Sequence, residues 1–158
     1  MRQINLSTLD ATKDLAVRIA KCLRVGDIVA LKGPLGAGKT TLARYIIQGL
    51  GWTESEIPSP TFTLAQEYDF SNFTLWHFDM YRLETPEDAF ELGVEEAFAT
   101  GVSLIEWPER LGGYLPLQRL DVTLSFRNDA GRDDEGARQV ELSVESAWAD
   151  RVDQLCNG

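Results

Sequence analysis

Hydrophobic positions along this chain change period several times, and each change marks an element. Ile4, Asn5 and Leu6 read as a short strand. Leu9, Leu15, Ala16, Ile19, Ala20 and Leu23 then recur at the three-and-four spacing of an amphipathic helix that stops at Gly26. Ser7-Thr8-Leu9-Asp10 has the Ser-x-x-Asp spacing of a capping box at its start. Asp27 to Lys32 is an unbroken β-favouring run of the kind buried on both faces of a parallel sheet. From Thr40 to Leu50 the helical period returns through Leu42, Ala43, Ile46, Ile47 and Leu50, with Gly49 and Gly51 as stop signals.

Pro58-Ser59-Pro60-Thr61-Phe62 cannot be helical, because each proline drives its predecessor toward extended geometry. Thr61 to Phe70 and Thr74 to Asp79 are strand-like and are joined by Ser71-Asn72-Phe73, which predicts an antiparallel hairpin. An acidic helical stretch starts at Pro86, and Gly101 closes it before the buried-type strand Val102 to Ile105, which delivers Glu106 at its end. Leu120 to Phe126 and Arg138 to Val144 alternate as strands around the polar turn Asn128 to Ala137, and a weak helix covers Ser146 to Leu155. Strands alternating with helices predict an α/β fold. A chain of 158 residues fits one domain, here residues 1–158.

Charge changes the picture only when it is divided. Residues 1–80 hold 8 Lys/Arg and 8 Asp/Glu, whereas residues 81–158 hold 7 and 17, so the whole formal charge of −10 lies in the second half. Eight acids and no Lys or Arg fall between Glu84 and Glu109. Such a surface repels phosphate backbones, which argues against unaided binding of nucleic acid and leaves solubility or docking of a protein partner as its uses. The first residues lack the apolar core of a signal peptide, and no run of about 18 apolar residues is present, so a soluble cytoplasmic protein without membrane contact is expected. Cys22, Cys156 and the single His77 have neither metal-ligand spacing nor the density of a disulfide scaffold.

Between the second strand and second helix stands Gly33-Pro34-Leu35-Gly36-Ala37-Gly38-Lys39-Thr40. The pattern Gly-x-x-x-x-Gly-Lys-Thr arises by chance in roughly one chain in two hundred of this length at average residue usage. Its context makes it specific, because this motif must leave a strand and enter a helix. Its glycines let the backbone curl until successive N–H groups face phosphate oxygens at a helix N-terminus. Lys39 supplies the cation for the β and γ phosphates and is expected to face ligand, not core. Thr40 offers a hydroxyl to magnesium.

A P-loop also needs an acid at the end of a neighbouring strand to hold the metal. Asp79 and Glu106 both qualify. Glu106 is favoured because its strand is of the more deeply buried type, while Asp79 sits in Trp76-His77-Phe78-Asp79-Met80-Tyr81-Arg82, where a hydrogen-bonded structural network competes. A lone histidine such as His77 is more often structural than a base. Thr61 fits a switch element that reports on the γ phosphate, with a rigid turn as the alternative.

Four segments, Gly33 to Thr41, Ser59-Pro60-Thr61-Phe62-Thr63, His77 to Leu83 and Ile105-Glu106-Trp107-Pro108-Glu109, in this order and spacing, resemble the TsaE (YjeE) family, the ATPase of bacterial threonylcarbamoyladenosine tRNA modification. The resemblance spans almost the whole chain. It implies a single P-loop NTPase domain with a central mostly parallel sheet, antiparallel hairpin additions and flanking helices. It implies binding of ATP or ADP with Mg2+, hydrolysis of ATP that is weak without partners, docking onto the proteins TsaB and TsaD, and contact with tRNA only through that complex. By carry-over, Lys39 and Thr40 bind phosphate and metal, Glu106 completes the magnesium site and Thr61 belongs to the switch-like loop; Gly36, Ala37, Gly38 and Thr41 join the phosphate cradle of the motif, and Lys39, Glu106, Thr61 and Asp79, the last with its structural alternative, are the catalytic candidates. Leu9 and Arg138 fall where the family approaches the adenine side, and an arginine there is able to stack on a base. Pro34 and Phe62 depart from the family's frequent acidic residue and tyrosine. A small-molecule kinase, a GTPase and a nucleotide-gated adaptor are the competing readings, although clustered lid arginines and an Asn-Lys-x-Asp stretch are missing from the sequence.

Overall fold

The computed structural model describes residues 2–53, 56–61, 63–127, 138–144 and 148–156. Seven strands, β1 (Arg2–Leu6), β2 (Ile28–Lys32), β3 (Ala65–Asp69), β4 (Thr74–Asp79), β5 (Val102–Glu106), β6 (Leu120–Phe126) and β7 (Arg138–Val144), form one sheet. Their order is β1-β7-β6-β2-β5-β4-β3. The central pairs β6/β2, β2/β5 and β5/β4 are parallel, and the outer pairs β1/β7, β7/β6 and β4/β3 are antiparallel. The α/β fold with a mostly parallel centre and antiparallel additions is thus present.

Hydropathy explains the order. The β2, β4 and β5 side chains are buried almost throughout, as strands covered on both faces must be, whereas β1 and β3 at the two edges are largely open to solvent. Helices α1 (Leu9–Cys22) and α2 (Lys39–Gly49) pack together on one face, where Leu15, Ile19, Leu42, Ile46 and Ile47 join β2 and β6 in the larger core. Phe78, Met80, Val94, Ala97, Ile105 and Leu111 build a smaller core around α3 (Val94–Thr100). Among the described residues no helix is long and apolar enough to cross a membrane.

Local differences from the sequence reading have physical causes. The α1 cap is Thr8, which accepts the Ala11 N–H at 3.1 Å, so the Ser7-x-x-Asp10 box is not the device used. A reciprocal contact of that kind occurs instead where Thr85 donates its N–H to Asp88 at 3.1 Å. Strand β3 begins at Ala65, not Thr61, because the chain turns back at Leu64, which has φ 66° and bonds the Pro60 carbonyl. The acidic stretch is two short pieces, a 3-10 turn over Pro86–Leu92 and then α3, broken at Gly93, whose φ of 88° no helix accommodates. The turn Asn128 to Ala137 lies outside the described residues. The last helix, α4, spans only Val152–Cys156, and residues 146–147 of the longer expected helix also lie outside.

Asp27, read as the first residue of β2, precedes it and is buried. Its carboxylate accepts both terminal nitrogens of Arg151, at 2.6 and 3.0 Å, and the Arg24 N–H at 2.6 Å. Arg151 also bonds the Cys22 carbonyl and lies over the Trp148 ring, which ties the C-terminal segment to the end of α1.

Candidate functional site

The loop of residues 33–38 leaves the C-terminal end of β2 and enters α2 at Lys39. Gly36 and Gly38 hold φ of 81° and 105°, which side-chain-bearing residues rarely adopt, so the curl of the loop requires glycine at both. Gly33 is constrained differently, because a Cβ there would stand 2.4 Å from the Leu124 carbonyl oxygen on β6. Gly38 caps α2 with no side-chain partner, leaving the first amides of the helix available at its positive end.

Two adjoining cavities flank this loop. The first, about 320 Å³, is lined by Gly36, Gly38, Lys39, Thr40 and Thr41 together with Thr61, Asp79 and Glu106. The second, about 280 Å³, lies against Leu9, Ala37 and Arg138 and shares Gly36, Gly38 and Thr41 with the first. Every residue singled out from the sequence for phosphate, metal, adenine or catalysis therefore faces one of the two. Thr12 and Leu124 in the second cavity, and Leu35, Tyr81 and Arg82 in the first, were not anticipated. Thr12 lies one turn beyond Leu9 on the same face of α1, a spacing that offered a clue, whereas the approach of β6 leaves no local mark in the sequence.

Lys39 lines the first cavity, yet its ammonium is turned onto the loop's own backbone. Only 5% of it is exposed. Its ammonium donates to the carbonyls of Gly33 at 2.5 Å and Pro34 at 3.0 Å and lies 4.0 Å from the centroid of the Trp107 ring. Burial pushes its pKa below the ordinary lysine value, while the acids Glu106, Glu109 and Asp79 pull in the opposite direction.

Glu106 and Asp79 are paired neighbours at the ends of the parallel strands β5 and β4. Thr40 donates its hydroxyl to Oε1 of Glu106 at 2.7 Å, and Nε2 of His77 lies 2.7 Å from Oε2. Oδ1 of Asp79 accepts the Tyr81 N–H at 3.0 Å, and Oδ2 accepts the Thr61 hydroxyl at 3.4 Å. Thr61 also shares a hydrogen bond with Ser59 at 2.7 Å. The two acids weighed as alternatives thus occupy one site with different partners. Trp107 follows Glu106 with φ 55° and meets the Tyr81 ring in a tilted contact at a centroid distance of 5.0 Å.

In the second cavity, Arg138 donates to the carbonyls of Ala37 at 3.1 Å and Gly36 at 3.3 Å, and its guanidinium lies 4.6 Å from the Phe126 ring centroid. These two carbonyls tie Arg138 to the backbone of the glycine loop.

The donor chemistry around Thr40 is suited to a hard cation. A hydroxyl and two carboxylates are all-oxygen ligands, and among the described residues no cluster of three or more Asp, Glu, His or Cys forms a cage. Magnesium is ordinarily held this way, by one or two protein oxygens with phosphate and water completing the shell.

A buried strand, a glycine loop curling into a helix, and an acid delivered beside it by the adjacent parallel strand define a protein of the P-loop class. The comparisons carry this further. The profile of the family "Threonylcarbamoyl adenosine biosynthesis protein TsaE" matches residues 6–135. The tRNA threonylcarbamoyladenosine biosynthesis protein TsaE of Rickettsia felis is 40% identical over 150 residues, covering 95% of this chain and 84% of that protein. The protein of the same name from a Nostoc species is 38% identical over 148 residues, covering 90% and 86%. The crystal structure of Bacillus subtilis YdiB superimposes with a TM-score of 0.78 at 28% identity, covering 99% of this chain and 94% of that one. The chain belongs to the TsaE family.

Proposed function

We propose that this chain binds ATP and ADP with Mg2+, hydrolyses ATP, and serves tRNA threonylcarbamoyladenosine biosynthesis as the ATPase that acts with TsaB and TsaD. The carrying observation is the convergence of Lys39, Thr40, Thr61, Asp79 and Glu106 on one cavity at the N-terminus of α2. The names of the Rickettsia and Nostoc relatives support the pathway.

The chain's own groups divide the work. Amides of the loop and first turn of α2 bind phosphate oxygens. The Lys39 ammonium exchanges the Gly33 and Pro34 carbonyls for phosphate, a favourable trade because it is already partly stripped of water. Thr40 and Glu106 hold the cation, whose contribution is to neutralise charge on the polyphosphate. Asp79, fixed by the Tyr81 N–H, and Thr61, fixed by Ser59, orient a water molecule for attack. The second cavity takes the base between Leu9 and Arg138. The net charge of −10 favours reaching tRNA through partner proteins instead of directly.

Two assays test this reading. The isolated chain hydrolyses ATP feebly and faster when TsaB and TsaD are added, and Lys39→Ala abolishes tRNA modification by the reconstituted set. Full modification with that variant eliminates the catalytic reading. A rate that ignores the partners favours an autonomous enzyme such as a small-molecule kinase.

A further inference from the structure

Glu106 is gripped from its buried side. His77 lies in β4 with no exposed surface, and its Nε2 is 2.7 Å from Oε2 of Glu106, which is itself only 3% exposed. The other carboxylate oxygen, Oε1, is the one that accepts the Thr40 hydroxyl. The register of the parallel pair, His77 opposite Leu104 and Asp79 opposite Glu106, sets the imidazole across the strand boundary from the carboxylate.

An ionised carboxylate accepts hydrogen bonds and donates none, so the proton in this contact belongs to Nε2, which leaves Nδ1 as the ring's other polar atom. That Nδ1 atom is buried and has no hydrogen-bond partner among the described residues. A side chain present only to fill this space would be apolar, because an unpaired buried nitrogen weakens the fold. What the imidazole adds over an apolar side chain is therefore the Nε2–H contact.

We infer that His77 is a positioning residue for the cation site: its Nε2–H fixes Oε2 of Glu106 so that Oε1 and the Thr40 hydroxyl are presented together toward a divalent ion. Without this donor the carboxylate is free to rotate, and the pair loses its alignment. The inference rests on the reading above that a divalent cation accompanies the nucleotide. Partners that orient a ligating group in this way ordinarily account for about 10–100-fold in metal affinity.

The test is calorimetric titration of ADP into the wild-type chain, His77→Gln and His77→Asn, each with Mg2+ and with EDTA, together with a thermal unfolding curve for each protein. The readout is the ratio of the two affinities. A glutamine amide reaches the position of Nε2 and still donates to Glu106, whereas an asparagine amide reaches only that of Nδ1. His77→Gln keeps the wild-type ratio within about threefold, and His77→Asn loses roughly tenfold or more of it while retaining its affinity in EDTA. An unchanged ratio in His77→Asn, or an equal fall with and without Mg2+, overturns the inference. If the asparagine variant does not fold, the glutamine variant decides: a retained ratio supports the positioning role and a lost one overturns it. A wild-type chain that binds ADP with no gain from Mg2+ removes the cation reading itself, and this inference with it.

Discussion

The Lys39 ammonium rests 4.0 Å from the centroid of the Trp107 ring, so the lysine of the glycine loop and the residue after Glu106 are in direct contact. Nucleotide binding that draws the ammonium toward phosphate removes a charge from the face of an indole. Trp52, Trp76 and Trp148 are packed with or within the two cores and line neither cavity beside the loop. Nucleotide should therefore change the intrinsic fluorescence of the protein, and Trp107→Phe should abolish most of that change while still binding ADP. A full signal in the Trp107→Phe variant would assign the response to another tryptophan.

Lys39 also makes affinity depend on pH. Burial lowers its pKa below the ordinary value of 10.5, so in the free protein the charge is lost at a lower pH than in an exposed lysine. Phosphate favours the charged form, and ADP affinity measured in EDTA should fall on the alkaline side, beginning below pH 10.5. Stability moves the other way. The unfolded chain binds more protons between the folded pKa and 10.5, so this group makes the fold more stable as pH rises through that window. Lys39→Arg, which stays charged, should bind ADP without the alkaline fall.

The pair of Asp27 and Arg151 joins residues 124 positions apart and is almost wholly buried. Arg151→Ala leaves a carboxylate in the interior with only the Arg24 N–H as a described partner. We expect a loss of about 3–5 kcal/mol, seen as a midpoint lowered by roughly 10 °C in thermal unfolding. Added salt should not erase the difference, because a buried pair is poorly screened. ADP affinity per folded molecule should be unchanged.

Much of this was legible in the sequence because the P-loop is a local device. A β-favouring run, a glycine at each strained φ, and a periodic helix must follow one another in order, and they do so between Asp27 and Gly49. Glu106 was legible for a related reason, since the buried run Val102 to Ile105 ends on it. What the sequence concealed depends on neighbours far along the chain. The capture of Lys39 by Trp107 follows from the left-handed backbone of Trp107, which precedes a proline and carries no local signal. The bond between His77 and Glu106 needs the register of two strands 29 residues apart. The strand expected from Thr61 was shortened by the turn at Leu64, a residue type that rarely adopts that conformation.

Seven of the eight acids between Glu84 and Glu109 are exposed, and the eighth is Glu106. This separates the segment into one acid with a site and a solvated face. Reversing Glu87, Glu91 and Glu95 together should weaken complex formation with TsaB and TsaD by tenfold or more and steepen no loss of stability, since each side chain is exposed and surface charges contribute about 0–1 kcal/mol apiece. Undiminished assembly, followed by analytical ultracentrifugation, would return these residues to a role in solubility alone.

In the proposed function the backbone of residues 33–40 wraps a polyphosphate beside a divalent ion. A crystal structure of the chain grown in excess ADP and Mg2+ tests it most directly. Phosphate oxygens should lie against the loop amides and the Lys39 ammonium, with the ion between Thr40 and Glu106. Nucleotide bound elsewhere, or an empty loop at saturating ADP, would contradict it.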